Sequence, residues 1–326
     1  MHYDVFNGDA DGIIALLQLR LTQPKQSTLI TGVKRDIKLL AQVSKRDDVS
    51  SVTTLDISME KNIESLQSLL ERDIEVFYCD HHRTGDVPAS DKLTAVINLD
   101  SEVCTSLLIH QYLEDTHGDN PYVAWAIAGA FGDNLISTAM ALANVHGFTQ
   151  AQIEFLKELG TLINYNGYGA SLSDLHIEPA DLYRELLNYP SPFALLDEPT
   201  SPYYRLKQGY EDDYKNVNAL VPIYNSDICA VYEFPAQAWA RRTSGVYGNE
   251  LANLSPSKAH AVLTLNPSGE DYTVSVRAPL TNRVGADEVC TQFPTGGGRK
   301  AAAGINQLPL EQKQAFIDAL NGFYLN

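Results

Sequence analysis

Basic side chains are scarce in this chain: it has 24 lysines and arginines against 41 aspartates and glutamates, a formal net charge of −17. A protein that grips a long nucleic acid neutralises many phosphates with lysine and arginine. The balance argues against that class, although an acidic surface can also serve solubility alone. The shortage is uneven. Residues 223–326 hold 8 basic and 9 acidic residues, so nearly all the negative charge lies in residues 1–222. The carboxyl third is close to neutral, and its arginines are candidates for an anionic ligand. Cysteine is also sparse, with Cys79, Cys104, Cys229 and Cys290 far apart and without metal-type spacing. Reduced thiols in a cytoplasmic protein are expected. No apolar run approaches the length of a membrane span. Met1-His2-Tyr3-Asp4 lacks the basic region of a signal peptide. There is no internal repeat and no low-complexity tract. At 326 residues and 44% hydrophobic content, the chain can build two domains with real cores.

The richest stretch runs from Ile74 to Arg83. An apolar, β-prone run, the pattern of a strand buried on both faces, ends abruptly in Asp80-His81-His82. The carboxyl ends of strands in open α/β sheets are where ligands bind, and mixed carboxylate and imidazole donors suit Mn²⁺, Fe²⁺ or Zn²⁺. A surface turn is the competing reading, since Arg83-Thr84-Gly85-Asp86 follows and Pro88 is close.

Other segments set the context. Residues 3–6, 27–31, 51–55 and 94–99 read as strands. Residues 13–21, 36–43, 60–70, 105–113, 121–131, 150–162 and 180–187 read as helices. Strands alternating with helices predict a doubly wound, mainly parallel sheet. Residues 165–178 read as a loop. Pro190, Pro192, Pro199 and Pro202 mark a linker, and residues 203–220 a connecting helix. Strands at 227–232, 259–265 and 272–277, helices at 236–243, 285–292 and 310–323, and a glycine-rich loop from Gly296 to Gly304 then predict a smaller α/β domain. The expected organisation is 1–188 catalytic domain, 189–222 linker and connecting helix, and 223–326 substrate-binding domain.

Several acids fall at comparable places. Asp9 and Asp11 lie in the turn after the first strand, Asp56 ends the third, and Asp133 ends a strongly apolar helix. Carboxylates converging on one sheet edge repel and raise each other's pKa, and divalent metal removes that penalty. Each acid alone is more often a cap or turn residue; it is their joint occurrence that favours metal. In Gly296-Gly297-Gly298-Arg299-Lys300, glycines let a backbone approach an anion closely. A turn needing positive φ explains the glycines but not the two cations beside them. Arg277 could add a phosphate clamp or simply end a surface strand. Trp239, before Arg241-Arg242, is a core residue or a stacking platform for a base.

Taken together and in this order, the motifs resemble the DHH phosphoesterase family, in the subgroup with a DHH-associated C-terminal domain, over nearly the whole chain. Asn7–Gly12 is similar to the first family motif, Leu55-Asp56 to the second, Asp80-His81-His82 to the third and Gly132-Asp133-Asn134 to the fourth. Gly296–Gly304 is similar to the glycine-rich motif of the associated domain. The resemblance implies a catalytic cleft between two domains and a phosphodiesterase using two divalent ions, usually Mn²⁺, for in-line attack of water. It implies that Asp9 and Asp56 hold one ion. Asp11, Asp56, His81 and Asp133 hold the other, with Asp56 bridging. His82 would face the scissile phosphate and Asp80 would orient an imidazole. Two positions depart from the pattern. Asn7 stands where many members have His, which predicts a first site that is weaker or filled by water. Arg299 stands where the glycine-rich motif usually has His, which bears on substrate preference.

Family members act on single-stranded DNA, very short RNA, linear dinucleotides, nucleoside bisphosphates and polyphosphate-type substrates. The acidic balance disfavours long nucleic acids, and no membrane partner is expected. An associated domain favours a substrate that extends beyond its phosphate. A linear dinucleotide such as pGpG, from cyclic dinucleotide signalling, meets both conditions. A single-strand exonuclease is the alternative. A nucleotide-binding regulatory protein with weakened catalysis, Asn7 its lesion, fits less well, because Asp9, Asp11, Asp56, His81, His82 and Asp133 are all present.

Overall fold

The parallel sheet that organises the first half of the molecule is built from β1 (His2–Phe6), β2 (Thr28–Ile30), β3 (Ser51–Leu55), β4 (Glu75–Asp80) and β5 (Leu93–Ile97). The structure is a computed structural model that describes residues 1–118 and 120–325. It divides into two units, Met1–Gln208 and Gly209–Asn326. In the first, the strands lie in the order β2-β1-β3-β4-β5, every pair parallel. A parallel sheet is covered on both faces, and β1 is buried along its whole length. β2 lies on one side of β1 and β3 on the other, so the winding reverses between β1 and β3. Such a switch point opens a crevice at the carboxyl ends of the strands. The register pairs Phe6 with Leu55 and Leu55 with Cys79. Asn7 and Asp56, which follow β1 and β3, and Asp80, which ends β4, therefore emerge at one level of one edge.

The helices of this unit are α1 (Ala10–Thr22), α2 (Ala41–Ser44), α3 (Met59–Glu71), α4 (Thr105–His117), α5 (Val123–Gly132), α6 (Ile136–Val145), α7 (Gln150–Asn166) and α8 (Pro179–Leu186). α1 is buried from Ala10 through Arg20, as expected of a helix that is apolar on every side. Amphipathic α3 buries Met59, Leu66 and Leu69 in a core shared with Tyr3, Val52 and Tyr78. Each such side chain contributes about 1.5–3 kcal/mol. α5 and α7 cross at glycines. A Cβ on Gly160 would lie 2.0 Å from the Ala128 carbonyl oxygen, and one on Gly132 would lie 2.9 Å from the Gly160 carbonyl oxygen. This close crossing delivers Asp133, the C-cap of α5. The proline-rich segment is ordered: Pro192 and Leu195 are buried, and the Phe193 ring packs on Phe148 and Phe155.

Helix α9 (Pro202–Val217) leads into strands β6 (Tyr224–Asn225), β7 (Cys229–Phe234), β8 (Ala259–Leu265), β9 (Asp271–Arg277), β10 (Gly296–Gly298) and β11 (Ala302–Pro309), with helices α10 (Ala238–Leu254), α11 (Ala286–Cys290) and α12 (Lys313–Leu325). The sheet order is β10-β11-β9-β8-β7-β6, and only β7–β8 is parallel. Val231, Leu263, Val274, Phe316 and Leu320 form one core of this unit. Val217, Phe234, Leu251 and Val262 form another, with Trp239 packed against it.

Four segments depart from the sequence reading. The helix expected over residues 36–43 is only α2, because Asp36 turns back on itself: its Oδ2 accepts from Val33 N–H and its own N–H donates to the Val33 carbonyl. α6 was not anticipated. α10 runs well beyond residue 243, since burial of Ser244, Val246, Gly248 and Leu251 holds it through two glycines. The glycine-rich stretch is a hairpin, with Gly296–Gly298 as its edge strand paired to residues 303–305.

Candidate metal centre

Asp9 opens the site as the N-cap of α1: its Oδ1 accepts from the Gly12 N–H at 3.1 Å. One helical turn places Asp11 on the inner side, where its carboxylate receives the Thr105 and Ser106 N–H groups at 2.7 Å each, together with the Ser106 hydroxyl. These are the first N–H groups of α4, whose partial positive charge favours an anion. Asp56 sits at φ +58°, a left-handed conformation that costs a non-glycine residue about 1–2 kcal/mol. Its N–H still bonds to the Cys79 carbonyl, and its Oδ1 accepts from the Thr105 hydroxyl. Asn134, just after Asp133, is also left-handed at φ +62°. Strain thus gathers at two of the four motifs, as it does at functional sites.

His81 is where these carboxylates meet. Its Nε2 lies 3.4 Å from Asp56 Oδ1, 3.7 Å from Asp11 Oδ2 and 3.9 Å from Asp133 Oδ2. Its Nδ1 lies 2.8 Å from the Val103 carbonyl. A carbonyl can only accept, so Nδ1 carries a proton and Nε2 is left facing three carboxylates. Carboxylates gathered at one nitrogen repel one another unless a cation joins them. Burial, with Asp11 and Asp9 nearby, pushes Asp56 well above the usual carboxylate range, the direction expected where negative charge lacks a counterion. The spacings also fit one ion, since ligands each about 2.1 Å from a metal stand about 3–4 Å apart. A nitrogen with carboxylate oxygens suits Mn²⁺ or a similar divalent ion. Asp56, His81 and His82 can offer one ligand atom each to a single ion.

His82 behaves differently. Its Nδ1 is 2.7 Å from Asp80 Oδ1, and its side chain is 29% exposed where His81 is 3% exposed. Burial acts to raise the Asp80 carboxyl, but the His82 charge and hydrogen bond outweigh it and hold the group below its usual range. Among the described residues Asp80 Oδ2 has no hydrogen-bond partner. The pair leaves His82 Nε2 as the imidazole nitrogen of this group turned away from the carboxylates that grip it.

Lys34 escaped the sequence reading. Its ammonium is 2.5 Å from Asp9 Oδ2 and 3.0 Å from Asn164 Oδ1, and lies 5.3 Å from the Tyr168 ring centroid. Burial works against the charge, yet Asp9, Tyr168 and Asp133 hold this lysine well above its ordinary range. Burial likewise acts to raise Asp9, and the Lys34 charge reverses it to a net lowering. One signal was available: Lys34 follows β2, and β2 neighbours β1 in the sheet. Asn7 spends its amide locally, with Nδ2 donating to the Lys34 carbonyl and Oδ1 accepting from the Asp9 N–H.

The remaining candidates lie in the second unit. Arg277 is partly buried and commits its guanidinium to its own domain: Nε to Asn249 at 2.5 Å, and the other nitrogens to the Ser275 hydroxyl and the Val276 and Gly245 carbonyls. In the hairpin, a Cβ on Gly296 would lie 1.8 Å from the Cys290 carbonyl oxygen, and Gly298 adopts φ +145°. Gly297 has open space where a Cβ would point. Arg299 N–H donates to the Ala302 carbonyl and closes the turn; its side chain is partly buried, and Lys300 is exposed. No helix is long and apolar enough to cross a membrane among the described residues.

No family model matches the sequence, and no curated protein matches it. Solved structures do. An exonuclease RecJ bound to manganese is 17% identical at a TM-score of 0.62, with 100% of this chain and 90% of that one covered. RecJ of Thermus thermophilus in complex with Mn²⁺ is 18% identical at 0.65; 99% of this chain matches 52% of that one, so the chain spans about half its length. The pGpG-specific phosphodiesterase PggH of Vibrio cholerae is 12% identical at 0.52, covering 100% of this chain and 99% of that one. At such identities the likeness is one of fold. The chain has the fold of the DHH phosphoesterases, the family its motifs resemble.

Proposed function

We propose that this protein is a metal-dependent phosphodiesterase that cleaves short linear nucleotides, pGpG among them, to mononucleotides. The observation that carries the reading is His81 Nε2, ringed by Asp11, Asp56 and Asp133 at 3.4–3.9 Å. That arrangement asks for a cation. A divalent ion held there supplies charge neutralisation for phosphoryl oxygens and acidifies bound water. The chain's own residues do the rest. Asp80 accepts from His82 Nδ1–H and supports the imidazolium form, whose second proton, on Nε2, goes to the leaving oxygen. The partial exposure of His82 lets a substrate reach it. Val103 fixes the His81 tautomer, and α4 anchors Asp11, so the donor set is held before substrate arrives.

The choice of substrate rests on charge and on Arg299. With a net charge of −17, each further phosphate on a strand meets more repulsion. The Arg299 fork suits guanine, whose O6 and N7 accept side by side, a pairing worth about 1–3 kcal/mol of discrimination. Cutting by a single-strand exonuclease is the competing reading, favoured by the higher structural similarity to RecJ. A panel of two-, five- and twenty-nucleotide strands with Mn²⁺, products resolved, decides. Falling kcat/KM with length supports the dinucleotidase, and rising values support the exonuclease. Full activity after exhaustive chelation refutes the metal-dependent reading altogether.

A further inference from the structure

Lys34 stands beside the carboxylate that the two-ion scheme reserves for its first ion. We infer that the Lys34 ammonium takes the place of that ion, so that the chain binds a single divalent cation, in the Asp11–Asp56–His81–Asp133 pocket. The inference rests on the phosphodiesterase reading above and fixes the inorganic content of its site.

Three observations meet here. First, Asp9 already faces a full positive charge: Lys34 Nζ lies 2.5 Å from its Oδ2, while its Oδ1 caps α1 through the Gly12 N–H at 3.1 Å. A dication on Asp9 Oδ2 would sit hard against an ammonium that shares the same oxygen. Second, Asn7 turns both amide atoms to its own loops, Nδ2 to the Lys34 carbonyl and Oδ1 to the Asp9 N–H. The side chain that could complete a first-ion site instead secures the loop that carries the lysine. Third, the end of α7 holds Lys34 at both backbone and side chain. Its N–H donates to the Gly167 carbonyl at 2.8 Å, and its ammonium donates to Asn164 Oδ1 at 3.0 Å. The loop before it lies flush on the motif: a Cβ on Gly8 would fall 1.9 Å from the Gly32 carbonyl oxygen. A surface lysine that happened to find an acid would lack this scaffold.

A fixed cation has a chemical use at this point. It neutralises Asp9 permanently and has a third N–H for a phosphoryl oxygen, as lysines do at other phosphate sites. It needs no uptake of metal and does not exchange.

The test counts ions directly. The full chain is stripped with chelator, loaded with Mn²⁺ and freed of excess, and its metal content and electron paramagnetic resonance spectrum are measured. One ion per chain with the six-line signal of isolated Mn²⁺ is expected. Asp9→Asn keeps the helix cap and should retain that ion at wild-type affinity. Asp133→Asn should weaken binding by at least about 10–100-fold, and His81→Gln gives the same readout should Asp133→Asn fail to fold. Lys34→Met should keep the ion and lower kcat on a simple phosphodiester by about 100-fold. Two ions per chain, a spin-coupled spectrum, loss of the ion from Asp9→Asn, or unchanged kcat in Lys34→Met overturns the inference. A wild-type chain that binds no manganese overturns the phosphodiesterase reading itself, and this one with it.

Discussion

Replacing Asp80 with asparagine isolates the orientation of His82 from the holding of metal. The carboxylate is fully buried, and its Oδ1 contacts His82 Nδ1 at 2.7 Å. Hydrogen bonds to a charged group contribute about 1.5–3 kcal/mol, against about 1 for a neutral pair, so the substitution removes about 0.5–2 kcal/mol of preference for the productive ring. That corresponds to roughly a 2- to 30-fold loss in kcat. The amide can also present its NH₂ to Nδ1, which holds the ring in a neutral tautomer and removes the charged form that donates. An analogous change in serine proteases costs about 10⁴-fold, and the expected loss therefore lies between these limits. Bound Mn²⁺ and KM should hardly change. Turnover measured across pH at saturating Mn²⁺, with metal content in parallel, is the assay. Wild-type kcat in Asp80→Asn would refute the role given to His82. A fall in kcat that simply follows lost manganese would make Asp80 a metal ligand through Oδ2 instead.

Packing, acid stability and base choice each offer another test. Gly160→Ala drives a methyl into the Ala128 carbonyl, costs about 1–3 kcal/mol and should lower Tm by about 5 °C while weakening Mn²⁺ binding through displaced Asp133; an unchanged Tm defeats this account of the α5–α7 crossing. Asp4 is held at about 2, below the usual 3.8, because burial, which acts upward, is outweighed by His2 and Arg20. A depressed carboxyl stabilises above its unfolded pKa, so about 2 kcal/mol should be lost as pH falls from about 4 through about 2. Urea titrations at both ends of that window should show a shallower decline for Asp4→Asn, and equal slopes would refute it. Arg299→Ala should lower activity on pGpG far more than on pApA; an equal fall on both means the arginine grips phosphate rather than base.

Much of the first unit was legible because its signals are local. Apolar runs ending in acids mark β1, β3 and β4, and a strand's carboxyl end has one address in a parallel sheet. That logic brought Asp9, Asp11, Asp56 and His81 to one edge, and Asp133 stood out separately as the acid that ends an apolar helix. It missed Lys34 because the residue lies in an unmarked loop, and only the β2–β1 pairing tells that the loop reaches the motif. It missed the hairpin at Gly296–Gly298 because glycine is a poor strand former. There the space beside Cys290 and the backbone at Gly298, not propensity, call for glycine. The length of α10 was hidden by Gly245 and Gly248, which read as breaks until burial of that face overrules them.

The fastening of Asp11 to α4 changes how the motif should be interpreted when it turns up elsewhere. This carboxylate receives two backbone N–H groups and a hydroxyl from the start of that helix, so it would be needed for architecture in a descendant that had abandoned catalysis. Its presence in a sequence is therefore poor testimony that the protein still reacts with anything. His81 and Asp133 instead turn ligand atoms on one another across the pocket, and they are the better witnesses. A protein of this fold that keeps the first aspartates but has exchanged those two is best regarded as a scaffold, whatever its motif score suggests.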